Sequence, residues 1–538
     1  MKKIVNLSKI LLLIVLMVFV SCEDQLNVKI YNDITGSSFW KTPSDAEAAV
    51  VALHASFMDI MKSSNNQISN VDGRTDAWQP GTLGPRLTGA VEGHFQTANN
   101  GAGNWRGYYR LVHDCNLLLA KIGDIEFENV ENKNDILAQT YTIRAMTYFE
   151  LVRIFGDVPL VTEPTTGKPE PEDYKARAPR ADVLNLIKAD IDKALPLYSS
   201  NLKDVHFVSK LSTYALKAEV YMWSAKAYNA RGSANTDDIN TAISAIESIE
   251  NSGELTFASD YSSIFTRDGN DSSEYILAVW YENGLSSSSY RYASIRNDAV
   301  PDQYKVFDGA GNIIKKLFPY ALENEGIAAM SYGEALNDIY AKYQTVDVHD
   351  NPFDNNDDAN VNDPGATPPT TAWYDRRDLR FINNCVDIPG PNNVVIKYAG
   401  IEDLSANVRW WDNDIPIYRL TGMLLLKAEA YNTLGNPEAA IDIMDMTRAR
   451  AGLAPYPGAR DQATVEDELL DESIRELFGE NKRWWHLIRE HRVADYVPRF
   501  LIERGQDRTS ESVWDYYYWP IAESVLIANT KLVQSPGY

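Results

Sequence analysis

Apolar residues repeat at the three- and four-residue spacing of an amphipathic helix along much of this chain, and this pattern constrains the fold more than any other feature. Residues 104–123 carry one such stripe, and residues 133–155 carry a second. The second stripe ends at Gly156–Pro159, where glycine can cap a helix and proline forbids its continuation. One further helix is predicted to begin at Pro43, and another is predicted to end before Pro196. We therefore predict a mainly α-helical chain.

Residues 415–452 predict a helical hairpin that turns at Gly435-Asn436-Pro437. Glycine suits the end of the first helix, and proline suits the first turn of the second. The spacing of Ala430-Tyr431, Gly435 and Ala440 is close to the tetratricopeptide pattern, and residues 210–229 look like a worn copy of the first helix. We therefore predict a scaffold of about four such hairpins.

Residues 252–414 break the helical pattern. Short apolar strands are predicted at Tyr275 to Tyr281 and at Val394 to Tyr398, while residues 347–369 read as a polar, acidic surface insertion. Binding surfaces usually lie on loops held by a rigid scaffold, so this irregular half is where we expect a ligand to bind.

The N-terminus has the pattern of a lipoprotein export signal. Lys2 and Lys3 precede eleven apolar residues, Ile10 to Val20, which are too few to span a bilayer as a helix. Ser21 and Cys22 then supply a small residue followed by a cysteine that can be diacylated. We predict a signal peptide over residues 1–21 and lipidation at Cys22, with an ordinary signal peptide as the alternative.

Composition excludes some partners. Seventy-five acidic residues against 51 basic residues give a net charge of −24, which opposes binding to nucleic acid and to anionic lipid. Thirty tyrosines and 12 tryptophans offer flat faces suited to sugar rings. Cys115 and Cys385 can form a disulfide, but two separate quiet thiols are the favoured interpretation.

Enzyme motifs are mostly missing, and no catalytic residue or cofactor is predicted. His486 and His491 are spaced one residue too widely for the H-x-x-E-H zinc motif. A weak calcium candidate consists of Asp354, Asn356 and Asp358, but alanine and glycine stand where a calcium loop needs glycine and glutamate. A surface glycoside hydrolase stays open as a less favoured alternative, because sequence cannot exclude a pair of catalytic carboxylates.

Four separated segments resemble the SusD/RagB outer-membrane nutrient-binding lipoproteins. They are the lipobox, NWRGYYRLVHDCNLLLAKI, AQTYTIRAMTYFELVRIFGDVPLV and ESIRELFGENKRWWHLIRE, and the SPGY ending is also similar. Thr530, Ser535, Ser473, Asn481 and His486 depart from the usual residues. We expect Glu476, Glu480 and Arg483 to serve the fold by pairing between adjacent helical turns.

The resemblance implies a tetratricopeptide-like helical scaffold with a loop-rich ligand-binding half. It implies an N-terminal region over residues 22–251 and a C-terminal region over 252–538, divided into 252–414, 415–492 and a tail, all packed as one globular unit. It further implies a protein anchored to the outer membrane and facing outward, without enzyme activity. Such a protein binds a glycan and passes it to a SusC-like TonB-dependent transporter, or alternatively binds a peptide or another nutrient.

No family motif identifies the ligand-binding residues, so the candidates come from local chemistry. Sugar binding needs ring faces for stacking and polar partners for hydroxyl groups. The candidates are Asp76, Trp78, Trp280, Tyr281, Tyr290, Tyr292, Trp373 and Tyr374. We expect Trp78, Trp280, Tyr290 and Tyr292 to come together as one exposed platform, with a buried Trp280 as the alternative.

Overall fold

The helices expected from the apolar stripes are present in a computed structural model of the chain. It describes residues 39–62, 71–80, 105–167, 170–202, 204–282, 305–307, 313–316, 330–332, 334–342, 378–388, 392–395, 397–398, 400–403, 408–498 and 517–535. The helices are α1 (Pro43–Lys62), α2 (Arg106–Lys121), α3 (Val130–Phe155), α4 (Arg180–Ala194), α5 (Lys210–Lys226), α6 (Thr236–Glu250), α7 (Glu334–Ala341), α8 (Leu379–Asn384), α9 (Leu420–Thr433), α10 (Pro437–Arg450), α11 (Gln462–Leu477), α12 (Arg483–Arg489), α13 (Val493–Tyr496) and α14 (Glu523–Ala528). The mainly helical fold class is confirmed.

Local side chains explain where several helices begin and end. Asn129 caps α3 by accepting a hydrogen bond from the Glu131 amide, and Gly156 ends that helix with φ at 73°. Asn436 caps α10, with Pro437 in its first turn. The hairpin predicted for residues 415–452 is therefore confirmed for its two helices. Its first five residues instead form a strand.

The core is built from packed helix pairs. Within the described ranges, α1 packs on α2, α3 on α4, α5 on α6, and α9 on α10. Helix α9 also packs against α6, so one apolar core runs through both halves of the chain. Each described helix is too short or too polar to cross a membrane.

The described strands form small antiparallel sheets of two strands each. They are β1 (Trp78–Pro80), β2 (Tyr275–Val279), β3 (Lys305–Phe307), β4 (Ile313–Lys316), β5 (Met330–Tyr332), β6 (Cys385–Ile388), β7 (Asn392–Val395), β8 (Ile401–Asp403), β9 (Val408–Trp410) and β10 (Ile415–Arg419). The pairs are β1 with β5, β2 with β10, β3 with β4, β6 with β7, and β8 with β9. The pair β2–β10 is buried and leads directly into α9. It confirms the apolar strand predicted near Tyr275.

A buried ion cluster ties the irregular segments to the C-terminal helices. We call it the arginine cluster, and it consists of Arg380, Arg419 and Arg450 with Glu274, Glu472, Glu476 and Glu480. Arg419 donates two hydrogen bonds to Glu480, at 2.8 and 2.9 Å. Burial opposes ionisation of Glu476, but Arg450, Arg419 and Arg380 outweigh burial and lower the pKa of this carboxyl to about 2.

The expected pairing of Glu476, Glu480 and Arg483 with one another is wrong, although their role in the fold is confirmed. Helix α11 ends at Leu477 and α12 begins at Arg483, so these residues do not share one helix. The two glutamates join the arginine cluster, and Arg483 pairs with Asp76 across the fold. Long-range partners replace helical neighbours because all three side chains are buried.

The C-terminal segment packs back onto the N-terminal half. The Trp519 amide donates to the carbonyl of Ile154 at 2.8 Å. Arg74 donates to the carbonyl of Tyr517 at 2.8 Å, and Arg177 donates to that of Val533 at 3.2 Å. The two ends of the described chain therefore stabilise each other.

The two cysteines within the described residues are both buried and unpaired. Cys115 lies on α2 and Cys385 begins β6, and both are free thiols. Burial raises the pKa of each thiol. The favoured interpretation of two separate quiet thiols is confirmed.

Candidate functional site

Several of the predicted site residues lie outside the described residues. They are the lipidation site Cys22, the ligand candidates Tyr290, Tyr292, Trp373 and Tyr374, and the calcium candidates Asp354, Asn356 and Asp358. The described ligand candidates are Asp76, Trp78, Trp280 and Tyr281, and the structure separates them into two groups.

Asp76 and Trp78 belong to the core, which corrects their assignment as ligand contacts. The Trp78 ring has no exposed surface and packs against Phe478, with ring centroids 5.0 Å apart. Asp76 accepts two hydrogen bonds from Arg483, at 3.0 and 2.7 Å. A fully buried ring offers no face to a sugar, so the expected platform cannot include Trp78.

Trp280 is exposed, which excludes the alternative that it is a core residue. Strand β2 is buried along its whole length, but the next side chain, Trp280, is 40% exposed. Tyr281 then turns back inward and is 4% exposed. Tyr281 is therefore corrected from a ligand candidate to a residue that anchors the end of β2.

The end of helix α1 lies beside the exposed tryptophan. The Lys62 ammonium is 5.0 Å from the centroid of the Trp280 ring and 5.6 Å from that of Tyr281. A cation at this distance is attracted to the negative face of an aromatic ring. Burial lowers the pKa of Lys62, while the charges of Asp59 and Asp414 oppose that shift. The ammonium thus steadies Trp280 and leaves part of its ring open to solvent.

A second exposed ring, in the loop before α5, packs against the same helix, α1. Phe207 is 38% exposed and packs edge-on against His54 of α1, with centroids 4.8 Å apart. Its loop is joined to β2, because the Ala278 amide donates to the carbonyl of Val205 at 2.9 Å. We call Lys62, Phe207 and Trp280 the aromatic edge.

The aromatic edge has the chemistry that a sugar surface requires. The side chains of Trp280 and Phe207 are both partly exposed, and the carboxylates of Asp204 and Asp268 lie on the adjoining loops with exposed side chains. Sequence reasoning identified Trp280 but missed Lys62 and Phe207. Lys62 and Phe207 could not be found from the sequence, because they lie far from Trp280 in the chain and approach it only in the folded structure.

An open groove of about 940 Å³ lies elsewhere, between the start of α2 and the C-terminal segment. Its most prominent rings are used internally. Trp105 is only 5% exposed, and the Tyr109 hydroxyl donates to the carbonyl of Pro159 at 2.7 Å. Tyr174 is half-buried on its wall. Of the rings that line the groove, Trp105 is therefore closed to a ligand.

Comparison with known proteins identifies relatives over the whole chain. A family model described as "SusD family" matches residues 398–538, and one described as "Starch-binding associating with outer membrane" matches residues 28–222. The SusD-like protein P38 of Formosa agariphila is 26% identical over 559 residues, covering 100% of each chain.

Solved structures show the same fold. A SusD superfamily protein from Bacteroides fragilis superposes with a TM-score of 0.72 at 22% identity, covering 93% of this chain and 100% of that one. A structure titled "Laminarin binding SusD-like protein" gives a TM-score of 0.67 at 19% identity, covering 93% of this chain and 100% of its own. With the two family models matching both ends of the chain, these findings show that the protein belongs to the SusD/RagB family.

Proposed function

We propose that this protein is a cell-surface lipoprotein that binds a nutrient glycan and delivers it to a SusC-like TonB-dependent transporter. Family membership supports the general role, and the exposed Trp280 on the aromatic edge is the observation that carries glycan binding. A glycan made of glucose units is the favoured class, because the matching descriptions name starch and laminarin, which are both glucose polymers.

The proposed binding mode is stacking with polar support. A sugar ring placed on Trp280 or Phe207 would cover apolar surface, while Asp204 and Asp268 accept hydrogen bonds from its hydroxyl groups. Each stacked ring contributes roughly 1 kcal/mol, so affinity grows when both rings of the edge are engaged. Nothing in this arrangement requires a chemical change in the glycan.

Replacing Trp280 with alanine is expected to weaken binding to laminarin or soluble starch by about fivefold to tenfold, because one stacking face is lost. Isothermal titration calorimetry measures the change in Kd. Tyr174→Ala is the matched control, since it removes an aromatic ring from the wall of the open groove. We expect it to leave the Kd unchanged.

Three results would redirect this proposal. If Tyr174→Ala weakens binding and Trp280→Ala does not, the ligand lies in the open groove. The same titration with peptides tests the alternative nutrient class on this fold. New reducing ends after incubation of the protein with glycan would instead indicate a glycoside hydrolase.

The anchor proposal rests on Ser21-Cys22 after the apolar leader, with residues 1–21 removed as a signal peptide. Cys22→Ala is expected to abolish surface attachment, because its thiol is the proposed acylation site. Cell fractionation and protease shaving measure the protein on the outer surface. Cys115→Ala is the control, and it should remain attached. A Cys22→Ala protein that is still displayed in normal amounts would refute the anchor.

The two proposed regions, residues 22–251 and 252–538, would act as one unit. The packing of α9 against α6 supports this arrangement, because separate domains would not share a core. Delivery to the transporter is tested by copurification of a SusC-like barrel with the lipidated protein from solubilised outer membranes.

A further inference from the structure

A fully buried carboxylate, Asp414, lies directly behind the aromatic edge and joins three segments. Its Oδ1 accepts a hydrogen bond from the Tyr281 amide at 2.9 Å, next to the exposed Trp280. Its Oδ2 accepts one from the Gly269 amide at 2.8 Å and faces Nε2 of His206 at 2.6 Å. Asp414 thus connects the end of β2 to the loop that carries Phe207.

The packing around Asp414 leaves little room for adjustment. A Cβ atom on Gly269 would lie 2.9 Å from the Tyr275 ring and 3.1 Å from the Val205 side chain. The Gly269 amide reaches Asp414 only because no side chain keeps the segments apart. A change in the bonds at Asp414 would therefore move the backbone on either side.

His206 is surrounded by carboxylates. Its Nε2 faces Asp414, its Nδ1 lies 2.9 Å from Oδ1 of Asp204, and Oδ1 of Asp268 is 4.0 Å from Nε2. A neutral imidazole has one N–H and one lone pair, whereas the imidazolium has two N–H groups. With both ring nitrogens facing carboxylate oxygens, this arrangement fits the charged form.

We infer that Asp414 is a positioning residue for the aromatic edge and that protonated His206 holds it in place, so that glycan affinity falls when His206 loses its proton. This inference rests on the proposed function, because it names a regulation of the same binding surface. A neutral His206 keeps one donor toward Asp414 but turns a lone pair toward Asp204. Because Asp204 lies two residues before His206 in the same loop, the lone pair repels its carboxylate, and the turn that carries Phe207 changes its position relative to Asp414.

The direction of the pH effect follows from the charges around His206. Burial lowers its pKa, but the hydrogen bond to Asp414 and the charges of Asp414, Asp204 and Asp268 outweigh burial and raise it above the ordinary value of 6.5. The Lys62 ammonium of α1 also interacts with Asp414. The stabilising contact is complete below the unfolded-state pKa and is lost as pH rises through the raised value.

The test compares wild-type protein with His206→Gln at about pH 5.5 and about pH 8.5, using laminarin as the probe. Glutamine keeps an N–H donor toward Asp414 but cannot titrate. We expect wild-type affinity to fall about fivefold between the two pH values, and that of His206→Gln to stay constant. His113→Gln is the matched control, because His113 accepts a hydrogen bond from the Thr165 amide away from this site. It should keep the wild-type pH dependence.

Melting temperatures of the same proteins, measured without ligand, test the contact independently. Wild type should lose more stability than His206→Gln as pH rises, since only wild type releases this proton. Equal pH dependence of affinity in both proteins overturns the inference and leaves glycan binding intact. If wild type binds no glycan at either pH, the proposed function is wrong. The part of the inference that concerns glycan affinity is then wrong as well. The melting curves then decide whether the His206–Asp414 contact senses protons.

Discussion

Replacing Glu476 with alanine is expected to lower the free energy of unfolding by about 3–5 kcal/mol. Its carboxylate contacts Arg380, Arg419 and Arg450, and the glutamate and all three arginines are buried. Removal of this carboxylate takes a buried partner from all three arginines at once, and no water replaces the lost ion pairs. Urea denaturation followed by circular dichroism measures the loss.

Glu438→Ala is the control for this experiment. Glu438 forms an ion pair with Arg460 in which both side chains are more than half exposed, so solvent screens the pair. We expect its removal to leave stability nearly unchanged. A Glu476→Ala protein that is as stable as the Glu438→Ala protein would show that the arginine cluster does not stabilise the fold.

Trp78→Ala is expected to lower the free energy of unfolding by about 3–5 kcal/mol, because it empties a fully buried site against Phe478. Trp280→Ala removes the same side chain from an exposed position and should change stability by only about 0.5 kcal/mol. Thermal melts and urea titrations of the two proteins measure this contrast. Equal losses of stability would mean that Trp280 is part of the core and that the aromatic edge is wrongly placed.

The helical part of the fold could be predicted because its determinants are local. The stripe that ends at Gly156 and the break before Pro437 both rest on residues within a few positions of each helix end. Such signals need no knowledge of distant partners. The expected core face of α2 is likewise the buried face, as Tyr108, Val112 and Cys115 show.

The candidate site could be predicted only in part, because exposure depends on tertiary packing. Trp78 stands in a polar loop and Trp280 at the end of an apolar strand, yet Trp78 is buried against Phe478 and Trp280 is exposed beside Lys62. Phe207 becomes relevant only after its loop joins β2. Residues such as Asp414 gave no sequence signal, since the donors that it binds lie on segments more than a hundred residues away.

The return of the C-terminal segment onto α3 has a consequence for the order in which the protein matures. Ile154, Arg74 and Arg177 each form a hydrogen bond with the backbone of residues 517–533, which are synthesised after them. These contacts therefore form only after residues 517–533 have been synthesised, so the N-terminal half cannot complete its native packing before that point.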